Sequence, residues 1–163
     1  MPVDRETLFA KLEQLGIQSV TVEHAPVFTV EQSTHLRETI PGAHTKNMFL
    51  TDKDGSLVLV VAKDDTRVDL KKLAKELRLG RLSFGKAELL ESVLGVPAGS
   101  VTPFALLNDT VASVTVVVDQ ALVDFAEVNC HPLQNTATTR LATADLLRFI
   151  DTTGHRPIIM KLD

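Results

Sequence analysis

Apolar positions along the chain alternate between a helical and a strand period. Leu8, Leu12 and Leu15 recur at helical spacing behind Asp4, a good N-cap, and Gly16 closes the run. Residues 17–23, IQSVTVE, alternate as a half-buried strand does. Thr29 and Gln32 fit a capping box that opens a short helix to about Arg37. After the loop at Pro41-Gly42, residues 47–51 and 57–62 read as two strands of a hairpin turning at Asp54-Gly55. Asp69 caps a predicted helix through Leu79, and a second helix over 86–94 stops at Gly95. Val114 to Val118 is an unbroken apolar run, as in a central strand covered on both faces. Residues 122–128 read as a further strand entered through a turn at Asp119-Gln120. Residues 138–141 read as a short strand, and Thr143 caps a helix over 144–150. Residues 157–162 close with a strand. Hairpins mix with single helices and do not alternate strand with helix, which predicts an α+β fold with a strongly curved mixed sheet.

Composition narrows the class. The 163 residues suit one domain, 1–163, with a real core. Seven Phe with no Trp or Tyr supply few rings for stacking single-stranded bases. Cys130 is alone, so no disulfide framework exists and a reducing compartment suits it. The amphipathic, acid-containing N-terminus has no signal core, and no apolar run approaches the ~20 residues of a membrane span. The expectation is a soluble cytoplasmic protein. The net charge of −4 disfavours a general nucleic-acid binder, and no helix-turn-helix signature suggests DNA. Charge is uneven, however. Residues 63–86 hold eight cations against four acids, a local +4 that leaves −8 for the rest. Such asymmetry suits a face that touches phosphates, or simply a solvated lysine-rich helix.

Several chemistries lack their motifs. There is no G-x-G-x-x-G, no Walker A and no G-x-S-x-G nucleophile elbow, since Arg81 stands where "RLSFG" would need glycine. The five His show no ligand spacing and Cys130 has no second Cys, so neither metal nor organic cofactor is expected. Three polar spots remain: Lys46-Asn47, the loop Gly99-Ser100-Val101-Thr102-Pro103, and His131-Pro132 with Asn135-Thr136. Each also has a structural reading: a snorkelling lysine, a helix-to-strand connector, a capped turn. Periodicity does not bring the three together.

The segments "HAPVFTVEQ", "KNMFLTD", "LGVPAGSVTPFALLND" and "CHPLQNTATT", in that order, resemble the freestanding prolyl-tRNA editing proteins of the YbaK/ProX type. The likeness runs from His24 to the closing "GHRPIIMKL", and the "GHRP" end is most similar to the branch that hydrolyses alanyl-tRNA(Pro). The resemblance implies a curved sheet partly closed on itself with helices outside. It implies a cofactor-free, metal-independent attack of water on the ester of a mischarged tRNA. Lys46, Gly99 and His131 would be the catalytic positions. The Gly99 loop would offer backbone N–H groups to the carbonyl oxygen, and His131 would position groups or take a proton. Asn47, Ser100, Val101, Pro103, Cys130, Asn135, Val30 and Phe49 would bind substrate, and the walls would favour a small side chain. Lys71, Lys75 and Arg78, at helical spacing, are the candidates for tRNA phosphates. The implied partner is the aminoacylated 3′ end of tRNA(Pro), with prolyl-tRNA synthetase a second; neither DNA nor membrane is expected. Rival readings are a deacylase of cysteinyl- or other small-amino-acid tRNA, and a non-catalytic tRNA or amino-acid binding module.

Overall fold

The computed structural model describes residues 2–26 and 30–163, with side chains from 34 onward in the second span. The predicted capping box of Thr29 and Gln32, and the side chain of Val30, lie outside the described residues.

Among the described residues, six α-helices and eight strands run in the order α1 (Arg5–Gln14), β1 (Ser19–Glu23), α2 (Val30–Thr39), β2 (Ala43–Thr51), β3 (Leu57–Lys63), α3 (Leu70–Glu76), β4 (Ser83–Phe84) and α4 (Ala87–Leu94). A 3-10 helix (Pro103–Asn108), β5 (Val114–Asp119), α5 (Gln120–Val123), β6 (Glu127–Cys130), β7 (Ala137–Ala142), α6 (Thr143–Thr152) and β8 (Ile158–Met160) follow. This is an α+β chain. The strands form one mixed sheet in the order β1-β7-β6-β2-β3-β5-β8, with β4 on β2. β2 is the hinge of that order. Its first residues, Ala43 and His44, pair in parallel with Val128 and Asn129 of β6, while Thr45–Thr51 pair antiparallel with Leu57–Lys63 of β3. β3 and β5 run parallel over Leu57–Val61 and Val114–Val118, which is why both read as continuous apolar runs.

Alternation along these strands divides the interior in two. Phe49, Leu59, Val61, Val116 and Val118 face a larger core with Leu8, Leu12, Leu94, Phe104 and Phe149, where the last two rings meet edge to face at 5.3 Å. Leu50, Val58, Val60, Ala62 and Val117 face a smaller core beneath α3, closed by Leu73, Ala74, Leu82 and Leu162.

Four sequence expectations are corrected. Lys46 and Asn47 do not open their strand: β2 begins at Ala43, because its first two residues find a partner in β6 that no local pattern announces. Residues 122–128 are not one strand. Asp119 accepts from Ala121 N at 3.0 Å and starts α5, and β6 begins only at Glu127. The helix expected to reach Leu79 ends at Glu76, and Arg78 takes φ +58°. Thr143 is the first residue of α6 rather than its cap, and its hydroxyl donates to Phe125 O at 2.6 Å.

Candidate active site

The site grows from the point where β2 leaves β6. Thr45 stands at this fork, and its hydroxyl donates to Asn129 O at 2.7 Å, with Cys130 Sγ a longer acceptor at 3.7 Å. Asn129, 2% exposed, braces the other side: its Nδ2 donates to Pro41 O at 2.9 Å and Ala43 O at 3.2 Å. The turn passes so close that a Cβ on Gly42, φ +92°, would stand 3.1 Å from that nitrogen and 3.2 Å from Glu127 O, so glycine is required here. Beyond the fork opens a cleft of about 140 Å³ lined by Leu36, His44, Thr45, Asn129, Cys130, His131 and Thr138.

His131 follows the last residue of β6, in a loop that runs to Thr136. Its Nδ1 lies 3.2 Å from Ala137 O. A carbonyl only accepts, so Nδ1 carries the hydrogen and Nε2 of the neutral ring keeps its lone pair. Burial holds this imidazole below the ordinary 6.5, outweighing the Ala137 carbonyl that favours the cation. The neutral form therefore prevails at physiological pH. Cys130 is fully buried, and loss of solvation pushes its thiol up to about 12, so it is a wall and not a nucleophile. In the same loop Leu133, 8% exposed, takes φ +72°, a conformation costly for a bulky residue and held by its surroundings.

The glycine loop is tied to this loop directly. Thr102, fully buried, donates from Oγ1 to His131 O at 2.6 Å. Gly99 has φ +91°, and a Cβ there would come within 3.8 Å of Asn135 Nδ2. Ser100 and Asn135 line a neighbouring hollow of about 390 Å³ with Pro97, Leu133, Gln134 and Thr136. Thus His131 and Cys130 share one cleft, Gly99, Ser100 and Asn135 gather beside the next, and the Thr102 hydrogen bond joins the two.

The other expected residues lie around this pair of hollows. Lys46 pairs with Ala62 in the β2–β3 ladder and sits on the same strand face as His44, two residues before it. Asn47 takes the opposite face, with Thr45 and Phe49, and its Oδ1 is buried without a hydrogen-bond partner. Phe49 lines neither hollow; it is buried in the larger core, where its ring leaves no room for a Cβ on Gly85. Val101 packs half-buried on that core, and Pro103 is buried as the first residue of the 3-10 helix. Lys71 and Lys75 line a groove of about 790 Å³ on α3 with Leu70, Ala74, Leu79, Gly80, Leu82 and Arg81. Arg78, just past the end of α3, is not among the groove's lining residues, whereas Arg81 is. His24, His44, Thr45, Asn129 and Thr138 are functional candidates that sequence reasoning passed over, and Thr102 had been read only as part of the Gly99–Pro103 loop. Only the threonine density of β7 and the His24 motif hinted at any of them. Among the described residues no group of three or more His, Cys, Asp or Glu could hold a metal ion, and no helix is long and apolar enough to cross a membrane.

This arrangement has a family. The model of the aminoacyl-tRNA editing domain matches residues 24–149, and the chain belongs to that family. Among its relatives, prolyl-tRNA synthetase associated domain-containing protein 1 of Danio rerio is 39% identical over 165 residues, covering 99% of this chain and 90% of that protein. The prolyl-tRNA editing protein ProX of Acetoanaerobium sticklandii is 36% identical over 93% of both chains. A solved structure proposed to be a trans-editing enzyme for prolyl tRNA synthetase superposes with a TM-score of 0.73 over 99% of this chain and 98% of its own. At 19% identity that likeness speaks for the fold alone.

Proposed function

We propose that this protein is a trans-editing deacylase of mischarged alanyl-tRNA(Pro). Water attacks the ester carbonyl, the bond to the ribose oxygen breaks, and the products are alanine and a tRNA with both terminal hydroxyls free. The ester is labile, so positioning and stabilisation of the developing oxyanion suffice. The observation that carries the reading is the Thr102–His131 hydrogen bond, which holds the Gly99 loop beside a cleft with room for one small aminoacyl group. In this reading the backbone N–H groups from Gly99 onward meet the carbonyl oxygen. Lys46, a compact ammonium, holds the terminal phosphate or the developing charge. Asn47 orients the ribose, and His131 positions the reacting group. The small cleft favours alanine over proline.

Recognition of the rest of the tRNA falls to phosphates. Lys71, Lys75 and Arg78, now with Arg81, line or flank the groove on α3. That groove lies on the sheet face that carries His44 and Lys46, so one strand of nucleic acid can pass from cleft to groove without changing sides.

The test is a deacylation panel with Ala-, Cys-, Ser- and Pro-tRNA(Pro), run with chelator present. Multiple turnover on the alanyl substrate, spared prolyl substrate and a loss of roughly a hundredfold or more in Lys46→Ala are expected. A faster cysteinyl reaction would move the specificity, and full activity of Lys46→Ala on every substrate would overturn the site.

A further inference from the structure

The polar side chains of the small cleft have spent their protons elsewhere. Thr45 gives its hydroxyl hydrogen to Asn129 O, 2.7 Å away. His131 gives its Nδ1 hydrogen to Ala137 O. His44 Nε2 lies 2.9 Å from Ile40 O, so that nitrogen is the donor and Nδ1 of the neutral ring is bare. The Thr138 hydroxyl is fixed by His24. His24 Nδ1 lies 2.8 Å from Ala25 O and must donate to it, which leaves Nε2 of the neutral ring an acceptor. The partner of that Nε2 is Thr138 Oγ1 at 2.8 Å, so Thr138, 6% exposed, spends its hydrogen on His24. Asn129 uses Nδ2 on two carbonyls, and its sealed Oδ1 has no donor. Among the described lining residues, the protonated thiol of Cys130 is the one side-chain donor left, and a weak one. Among the described residues, no carboxylate, lysine or arginine lines the cleft.

A pocket that offers lone pairs and no charge selects its guest by hydrogen count. A carbonyl, carboxylate or phosphate brings only acceptors and, among the described side chains, finds only the weak Cys130 thiol to meet them. A hydroxyl or water brings acceptors along with its hydrogens. An ammonium brings three donors and no acceptor, and charge-assisted bonds to neutral acceptors are the stronger kind. We infer that the cleft is an ammonium subsite, which holds the α-ammonium of the aminoacyl group through Thr138 Oγ1, Thr45 Oγ1 and His131 Nε2. The identity of that ammonium rests on the deacylase reading above. The assignment also orients the ester: with nitrogen in the acceptor pocket, the carbonyl is turned toward the Gly99 loop, where Ser100 N is already engaged with Pro97 O at 3.1 Å and the peptide N–H groups of Gly99 and Val101 would be the donors. His24 becomes a positioning residue, fixing the Thr138 hydroxyl.

The experiment compares alanyl-tRNA(Pro) with propionyl-tRNA(Pro), which lacks only the amino group, each normalised to its uncatalysed rate. The wild-type protein should accelerate the alanyl ester on the order of ten- to a hundredfold more. Thr138→Val should remove about tenfold of that preference while changing the propionyl reaction less than about twofold, and Thr138→Ser should restore it. Equal losses on both esters would mark Thr138 as structural and overturn the inference. So would a wild-type protein indifferent to the amino group. A second arm reads binding without turnover: L-alaninamide against propionamide, followed by the methyl NMR signals of Thr45 and Thr138. Shifts with alaninamide alone support the subsite even if no tRNA is hydrolysed, which would sink only the deacylase reading. Equal or absent shifts for both amides overturn the subsite whatever the enzyme does.

Discussion

Two histidines in this chain show what separates a fully bonded imidazole from one that keeps a nitrogen open. His155 is 3% exposed and fully satisfied: Nε2 meets Asp109 Oδ2 at 2.7 Å and Nδ1 meets Thr153 Oγ1 at 2.8 Å. Asp109 in turn takes Ser113 N, Ser113 Oγ and Val114 N, so the "GHRP" segment is clamped onto the entrance of β5. His131 is half-buried with one nitrogen committed and the other open. His155 is removed from water altogether and His131 in part. Only one keeps an unspent lone pair beside a cleft. Burial alone therefore says little about a histidine's task; the count of its satisfied nitrogens says more.

The contrast can be broken most sharply by removing each ring. His155→Ala breaks a buried hydrogen-bonded pair and should cost about 3 kcal/mol of stability, a fall in Tm of roughly 6–12 °C. Its folded fraction should retain deacylation. His131→Ala should lose on the order of ten- to a hundredfold in kcat/KM while its stability changes by about 1 kcal/mol or less. Thermal melts and kinetics on the two variants check this together. An inactive but stable His155→Ala, or an active but unstable His131→Ala, would invert the comparison.

A second cut acts through the tie between the loops. Thr102→Val keeps volume but leaves His131 O without its donor in a buried site. The expected loss is about 1–2 kcal/mol, with about a tenfold fall in kcat/KM because the Gly99 loop is no longer registered against the cleft. Unchanged kinetics in a destabilised protein would show that the tie serves only the fold.

The sequence made some of this visible and hid the rest for physical reasons. Gly95 as a helix stop and the apolar run of β5 were legible because capping and burial on two faces are local signals. The fork at Thr45 was not, because the β2–β6 pairing sets Ala43 beside Val128 and His44 beside Asn129, residues 85 positions apart, and leaves no trace in periodicity. The same holds for Thr138, whose role depends on His24, 114 residues away. The segment after Asp119 was misread because Ala121, Leu122 and Val123 are apolar enough for a strand, and the Asp119 cap decides the matter. The Gly99 and His131 segments were recognisable as candidates from a family likeness. That Thr102 joins them could be read only from the fold.

The smallest effect expected separates the two sites by pH. His131 is held neutral by burial, so its folded-state affinity for protons is below the ordinary 6.5. As pH falls from 6.5 toward that lower value, the unfolded chain takes up a proton that the folded chain refuses, and stability declines. Asp109 behaves at a different pH. Burial opposes its charge, but His155, Ser113 and Val114 outweigh that and hold its carboxyl below the ordinary 3.8. Its contribution stays whole above 3.8 and is lost only as pH drops through the depressed value. Denaturant melts of wild type and His131→Ala between pH 7.5 and 5 isolate the first term. The wild type should lose ground to the variant as pH falls through this window. A gap between wild type and His131→Ala that stays level or widens would mean that the ring can take its proton in place, and the cleft would then be no neutral acceptor pocket.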